Sequence, residues 1–143
     1  MKLFKEQKGF TLIELLVVIA IIGILASIVL ASLNTARDRA RDTSIRASMS
    51  QMRAQAEIFY DQQNPPTYSG GGGMCADPEI VRLQAGATGN GGTVPNCDAT
   101  AQAWAFEILL NAGAGSYYCV DSTGFSGNKV ASKDVVGTIF NCD

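Results

Sequence analysis

One carboxylate, that of Glu14, lies inside an otherwise uncharged and largely apolar stretch over residues 10–33. A carboxylate in a lipid-embedded helix costs roughly 2.5 to 3.5 kcal/mol near the bilayer centre and less near its edge. Such a group persists where it finds a partner or serves a function. We therefore expect Glu14 to meet a positive charge in poorly hydrated surroundings.

The other residues with chemical potential do not predict catalysis. The chain has no histidine, so a serine nucleophile with a histidine base is excluded, and no carboxylate pair has a persuasive local context. Four cysteines are present, but none forms a Cys-x-x-Cys pair typical of zinc sites. We expect no enzymatic activity, no metal and no cofactor.

Residues 10–33 are long enough to cross a membrane. As a helix they span roughly 36 Å at about 1.5 Å per residue, which exceeds a hydrocarbon core of about 30 Å. The run is longer than the apolar region of an ordinary secretory signal, and no Ala-x-Ala cleavage site accompanies it. Hydropathy alone leaves a plain membrane anchor open.

The orientation of this segment is predicted from the cysteines and not from the basic residues. Basic side chains flank both ends, so counting them barely discriminates. Four cysteines after the segment indicate an oxidising compartment for the C-terminal part. We expect residues 1–9, a short basic leader, to be cytoplasmic and the rest of the chain to be exported. The basic residues concerned are Lys2, Lys5 and Lys8 on one side and Arg37, Arg39, Arg41 and Arg46 on the other.

The helix is predicted to continue beyond the apolar segment as far as about Gln63. Residues 34–63 contain neither proline nor glycine, and Pro65 and Pro66 end the pattern. Apolar residues recur at steps of three and four along this half, which predicts one face packed against a core. These residues are Ile45, Met49, Met52, Ala56 and Phe59.

A small antiparallel sheet is the predicted cover for that face. Bulky apolar residues alternate over 104–110, which is typical of a strand with one buried face, although a helix over 99–110 is a rival interpretation. A glycine-rich turn over 111–116, a strand over 117–121 and a turn at 122–124 together indicate a hairpin. Residues 135–140 are a plausible third strand. The predicted fold class is α+β.

Residues 64–98 are rich in Gly, Pro, Asn and Thr and are predicted to be loop. Four cysteines allow three connectivities, and the sequence leaves all three open. We prefer Cys75 with Cys97, closing the loop region, and Cys119 with Cys142, tying the C-terminal segment to the sheet. Each bridge is expected to contribute roughly 2 to 4 kcal/mol.

Two sets of charged residues receive a more ordinary interpretation. A calcium site at Asp121, Asp134 or Asp143 is conceivable, but no EF-hand spacing is present and we expect solvated surface aspartates. We expect the arginines that follow the apolar segment to form ion pairs with nearby acidic residues and, where copies of this helix pack together, between those copies. The residues are Arg37, Arg39, Arg41 and Arg46 with Asp38 and Asp42.

The run Gly9-Phe10-Thr11-Leu12-Ile13-Glu14 resembles the processing site of type IV prepilins and the related pseudopilins. The resemblance covers residues 1 to about 60 well and the rest loosely. It implies that a prepilin peptidase cuts after Gly9 and that the new amino group of Phe10 is methylated. Glu14 then becomes the fifth mature residue, which the family uses in assembly.

The resemblance also implies a division of the chain and a small sheet packed on a long helix, the pilin fold. Residues 64–143 would form the globular head. The expected segments are a leader over 1–9, a transmembrane and assembly helix over 10–33, its amphipathic continuation over 34–63, a Gly-rich loop over 64–98 and a sheet over 99–143.

The implied function is that of a structural subunit in a surface filament. The precursor would lie in the cytoplasmic membrane and then pass into a homo-oligomeric helical filament, with an inner-membrane assembly platform and minor pilins as partners. A Glu14 to Phe10 amine pair would fix the stagger between subunits. The alternatives are a pseudopilin of a type II secretion-like system, a DNA-uptake pilin and a monomeric membrane-anchored binding domain.

Charge argues against one of these alternatives. From residue 64 onward the chain has three basic and seven acidic residues. Nucleic-acid binding depends on Lys and Arg to neutralise phosphates. We therefore do not favour nucleic acid as a partner.

Overall fold

The computed structural model describes residues 9–113, 115–130 and 142. A 51-residue helix, α1 (Leu12–Gln62), is followed by two single turns of 3-10 helix, Gly70–Gly72 and Met74–Ala76, and by the elements α2 (Pro78–Gly89), β1 (Thr93–Ala99), β2 (Trp104–Leu109), β3 (Tyr117–Asp121) and β4 (Ser126–Lys129). The predicted α+β class is confirmed. The chain divides into two compact units, residues 1–36 and 37–143.

The described part of the first unit is helical from Leu12 onward and exposed throughout. Its large apolar side chains are between 48% and 90% exposed, on every side of the helix. By length and composition α1 contains a segment able to cross a membrane, and none of that segment is buried. A helix that is apolar all round belongs in lipid or among other helices.

In the second unit the predicted stripe of α1 is buried, as expected. It forms one core cluster with the side chains that alternate along β2 and with the inner face of α2. The four strands form an antiparallel sheet in the order β1-β2-β3-β4. The cluster includes Ile45, Met49, Met52, Ala56 and Phe59 from α1, Ile80, Leu83 and Ala87 from α2, and Trp104, Phe106 and Ile108 from β2.

The strand predicted over 104–110 is confirmed as β2, and the rival helix is wrong. One feature differs from the prediction, because both faces of β2 are buried. Ala105 and Glu107 are 0% and 1% exposed on the face opposite the core cluster. That face also carries Cys119, which is bonded to Cys142. The predicted strand over 135–140 lies outside the described residues.

The prediction that residues 64–98 are loop is wrong in two places. Helix α2 occupies residues 78–89, because Asp77 caps its N-terminus by accepting hydrogen bonds from the amides of Glu79 and Ile80 at 3.0 and 3.2 Å. Pro78 at its first turn has no N–H to satisfy there.

Strand β1 is the second correction. It pairs with β2 along one edge of the sheet, and its register shifts between Thr93 and Asn96. Pro95 lies inside this irregularity, as expected for a residue without a ladder N–H at an edge strand. The sheet therefore begins at Thr93, and not at residue 99 as predicted.

Both preferred disulfides are present. Cys75 is bonded to Cys97, and Cys119 to Cys142, each pair with Cα atoms 5.8 Å apart. The first bond links the turn before α2 to the edge strand β1. The second links Cys142 to Cys119 on β3. Each bond therefore connects a strand of the sheet to a residue outside it.

Candidate functional site

The first turn of α1 contains a hydrogen-bonded box between Thr11 and Glu14. One carboxylate oxygen of Glu14, Oε2, accepts hydrogen bonds from the backbone N–H of Thr11 at 2.9 Å and from its hydroxyl at 2.8 Å. In return, the backbone N–H of Glu14 donates to the Thr11 hydroxyl at 3.3 Å. Thr11 immediately precedes the helix, so this is a reciprocal capping box.

The box determines the position of the Glu14 carboxylate. Glu14 lies at the third helical position, and its backbone and side chain both bond to the same threonine. An acidic group in the first turn of a helix is also stabilised by the helix dipole. The carboxylate is thus anchored at the start of an exposed apolar helix.

Gly9 and Phe10 lie just outside the helix, next to this box. Neither has helical structure, and the Phe10 side chain is 90% exposed. A peptide bond outside regular secondary structure is a better protease substrate than one inside a helix. The residues expected for cleavage and for charge pairing are therefore neighbours in space as well as in sequence.

Comparison with known proteins identifies a family motif in the same N-terminal region. Residues 4–30 match the family model described as the prokaryotic N-terminal methylation motif. This match, together with the curated relatives, supports a type IV pilin precursor. The chain combines the N-terminal motif with one long, initially apolar helix and a four-stranded antiparallel sheet, which is an α+β pilin fold.

Several curated proteins are similar to this chain. The type IV wide pilus major component PilA4 of Thermus thermophilus is 44% identical over 63 residues, which cover 44% of this chain and 48% of that protein. The type IV major pilin protein PilE1 of Neisseria gonorrhoeae is 35% identical over 77 residues, covering 53% and 47%. A fimbrial protein of Pseudomonas aeruginosa is 45% identical over 53 residues, covering 37% and 34%.

These matches are partial. The chain spans about half the length, or less, of the curated relatives that it matches. No solved structure matches the chain. The relatives are described as pilus components and fimbrial proteins.

The second unit contains a buried carboxylate that was expected at the surface. Asp121 is 0% exposed. Its Oδ1 accepts hydrogen bonds from the N–H and hydroxyl of Thr123, at 2.9 and 2.7 Å, and from the N–H of Phe125 at 3.0 Å. Its Oδ2 accepts one from the N–H of Cys142 at 2.6 Å.

The interpretation of Asp121 as solvated surface is therefore wrong. Burial raises the pKa of its carboxyl, but the hydrogen bonds from Cys142, Thr123 and Phe125 outweigh burial and leave the pKa below its ordinary value. The side chain closes the turn between β3 and β4 and also binds the backbone N–H of Cys142. Among the described residues, no group of three or more possible ligands could hold a metal ion.

Asp42 is the second charge that the sequence interpretation misplaced. It is 3% exposed and accepts hydrogen bonds from the backbone and side-chain amides of Asn111, at 2.8 and 3.0 Å, and from the N–H of Ala112 at 2.9 Å. It belongs to the interior of the head and is not part of an exposed ion-pair array. Its partners lie in the loop between β2 and β3.

Arg46 also differs from the other arginines. Its guanidinium lies over the Tyr118 ring, 5.5 Å from the centroid, and donates to the Asn128 side chain at 3.3 Å. It therefore fastens α1 to β3 and β4. Arg41 forms an exposed contact with Asp38 at 3.8 Å, the type of surface pair that contributes little.

The aromatic end of the core is organised by Glu57. Its carboxylate accepts hydrogen bonds from the Tyr68 hydroxyl at 3.0 and 3.1 Å and from the indole N–H of Trp104 at 3.4 Å. Burial and the adjacent Glu57 carboxylate raise the pKa of Tyr68 to about 12. Tyr60 packs on Tyr68 with ring centroids 4.5 Å apart.

Sequence reasoning located Gly9, Phe10 and Glu14 but missed the role of Thr11. The signal was present, because Thr-x-x-Glu before an apolar run is the signature of a capping box. Asp42 and Asp121 had no comparable signal. Apart from the Thr123 hydroxyl, their partners are backbone amides or lie far away in sequence, and such partners cannot be read from residue types.

Proposed function

We propose that this chain is the precursor of a structural subunit of a type IV pilus-like surface filament. The observation that carries the proposal is Glu14, the single charge in the exposed apolar segment over residues 10–33, held at the first turn of α1 by Thr11. A monomeric anchored domain gives such a charge no role. The pilus and fimbrial descriptions of the relatives support the filament over a secretion pseudopilin.

Processing is the first step of the proposal. A prepilin peptidase cuts the bond between Gly9 and Phe10, and the amino group of Phe10 is then methylated. Both residues lie outside α1, and the methylation-motif match extends across them. The cut removes the basic leader and creates a positively charged amine at the start of the apolar segment.

The new amine needs a partner. It lies near the positive end of the α1 dipole in poorly hydrated surroundings, where an unpaired charge is costly. Glu14 of an incoming subunit neutralises the Phe10 amine of a subunit that is already docked. Because each charge is satisfied only at one stagger, the pair sets the register of the filament as well as removing the cost of burial.

The exposed apolar segment determines where the subunit is found. Before assembly, residues 10–33 lie in the cytoplasmic membrane, with the leader cytoplasmic and the disulfide-bonded head exported. During assembly, an inner-membrane platform and minor pilins transfer the subunit from lipid into a bundle of identical helices. Apolar side chains exchange lipid contacts for helix contacts, so packing and the charge pair favour the bundle.

Replacement of Glu14 tests this proposal. The Glu14→Ala variant is expected to be cleaved normally but to be absent from sheared surface filaments, because the amine then has no partner. Glu79→Ala is the matched control, since Glu79 is an exposed acid in the head whose Arg82 contact is a surface ion pair. Filaments formed by Glu14→Ala in normal amounts would contradict the charge-pair assembly.

A further inference from the structure

We propose that Thr11 is a positioning residue for assembly, which holds the Glu14 carboxylate ready for the amine of another subunit. This inference rests on the proposed function. It starts from the fact that both hydrogen bonds from Thr11 go to the same oxygen, Oε2 of Glu14, at 2.9 and 2.8 Å. The second oxygen, Oε1, takes neither bond and is left for a donor from outside the turn.

The capping box limits the freedom of the Glu14 side chain before association. A glutamate side chain has three rotatable bonds, and fixing them during association costs conformational entropy. In this chain the capping box fixes them before association. The incoming amine therefore meets a carboxylate that is already oriented, which is the general benefit of preorganisation.

In the unassembled subunit, Thr11 replaces the partner that Glu14 does not yet have. A carboxylate without hydrogen bonds in an apolar setting is strongly unfavourable. The amide and hydroxyl of Thr11 supply two hydrogen bonds to Glu14 while no other subunit is present. Thr11 thus stabilises the charged form of Glu14 before assembly, so that the Glu14 side chain does not turn toward the membrane surface.

Position 11 needs a side chain that can both donate and accept a hydrogen bond. The hydroxyl of Thr11 acts twice, as donor to the Glu14 carboxylate and as acceptor for the Glu14 N–H. Serine can do both, and valine has the shape of threonine but can do neither. A glutamine at position 14 can complete a capping box but carries no charge. These three substitutions separate the box from the charge.

The experiment measures surface filaments, normalised to the amount of cleaved subunit in the same cells. Thr11→Val is expected to lower this ratio about fivefold, the size of effect that loss of a threonine cap produces. Thr11→Ser should restore it to within about twofold, in keeping with the similar capping of the two residues. Ser27→Ala is the matched control, because it removes a hydroxyl that bonds within the same apolar helix, to the carbonyl of Ile24 at 2.8 Å.

A double-variant comparison distinguishes positioning from a merely structural role. In the Glu14→Gln background little assembly is expected, and adding Thr11→Val should lower the ratio no further, because Thr11 acts through the carboxylate. A Thr11→Val chain that assembles as well as the wild type, while Glu14→Gln fails, would overturn the positioning role and leave the proposed function intact. A Glu14→Gln chain that assembles normally would overturn both.

Discussion

Asp42 and Asn111 are 69 residues apart in the chain, and the carboxylate of the first accepts hydrogen bonds from both amides of the second at 2.8 and 3.0 Å. The contact joins the middle of α1 to the loop between β2 and β3. Asp42 therefore adds hydrogen bonds to the apolar packing made by the stripe that follows it in α1. Together they attach the sheet to the helix.

Removal of Asp42 should destabilise the head strongly. In Asp42→Ala, the N–H groups of Asn111 and Ala112 lose their charged acceptor, and we expect the free energy of unfolding to fall by about 3 kcal/mol. Denaturant unfolding of the full chain in detergent, followed by the fluorescence of the buried Trp104, measures this change. Asp38→Ala, which removes only an exposed contact with Arg41, should change stability by less than about 0.5 kcal/mol. Equal effects of the two variants would contradict the assignment.

Acid should weaken the head through Asp121. The pKa of this carboxyl is lowered in the folded chain from its ordinary value of 3.8. Its contribution to stability is therefore complete above pH 3.8 and is lost as the pH falls through the lower, folded-state pKa. A plot of unfolding free energy against pH should fall less steeply in this range for Asp121→Asn than for the wild type. Parallel curves would show that the carboxylate charge does not matter.

Alkali should weaken the head through Tyr68, because stability is lost as the pH rises. Its pKa rises from 10.0 to about 12 on folding, so its contribution is complete below pH 10.0 and is lost as the pH rises toward 12. We expect the wild type to lose stability over this range and Tyr68→Phe to lose less. Ultraviolet titration of tyrosine ionisation provides a direct check, since one tyrosine should ionise late.

Both disulfides should contribute measurably to stability. Replacement of Cys119 and Cys142 together by serine should lower the unfolding free energy by roughly 2 to 4 kcal/mol, as should replacement of Cys75 and Cys97 together. The bonds close segments of similar length, with sequence separations of 23 and 22, so the two losses should be similar. A pair whose removal leaves unfolding unchanged, with and without reductant, would contradict this expectation.

Local periodicity and composition predicted much of the fold. The uninterrupted helix, the buried stripe from Ile45 to Phe59 and strand β2 all follow patterns within a single element. Helix α2 was missed although Asp77 and Pro78 are a good start signal, because the glycine-rich surroundings outweighed it. Strand β1 was missed because Pro95 and Asn96 are unfavourable in strands, and pairing with β2 overrides that preference.

The candidate site could likewise be predicted only where its signal lies within one short stretch of sequence. Glu14 was recognisable because a charge in an apolar run is rare and costly. The hydrogen-bond geometry that links it to Thr11 required atomic coordinates. The buried states of Asp42 and Asp121 depend on tertiary contacts, so surface interpretations based on residue type alone were wrong.

The most direct test of the filament proposal is the intact mass and N-terminal sequence of this protein in sheared surface material. We predict a chain that begins at Phe10, carries one N-terminal methyl group and contains two disulfide bonds. That result would support cleavage after Gly9 and place the processed subunit in the filament. A chain that still begins at Met1 and remains confined to the membrane would contradict processing and the Glu14 to Phe10 pair together.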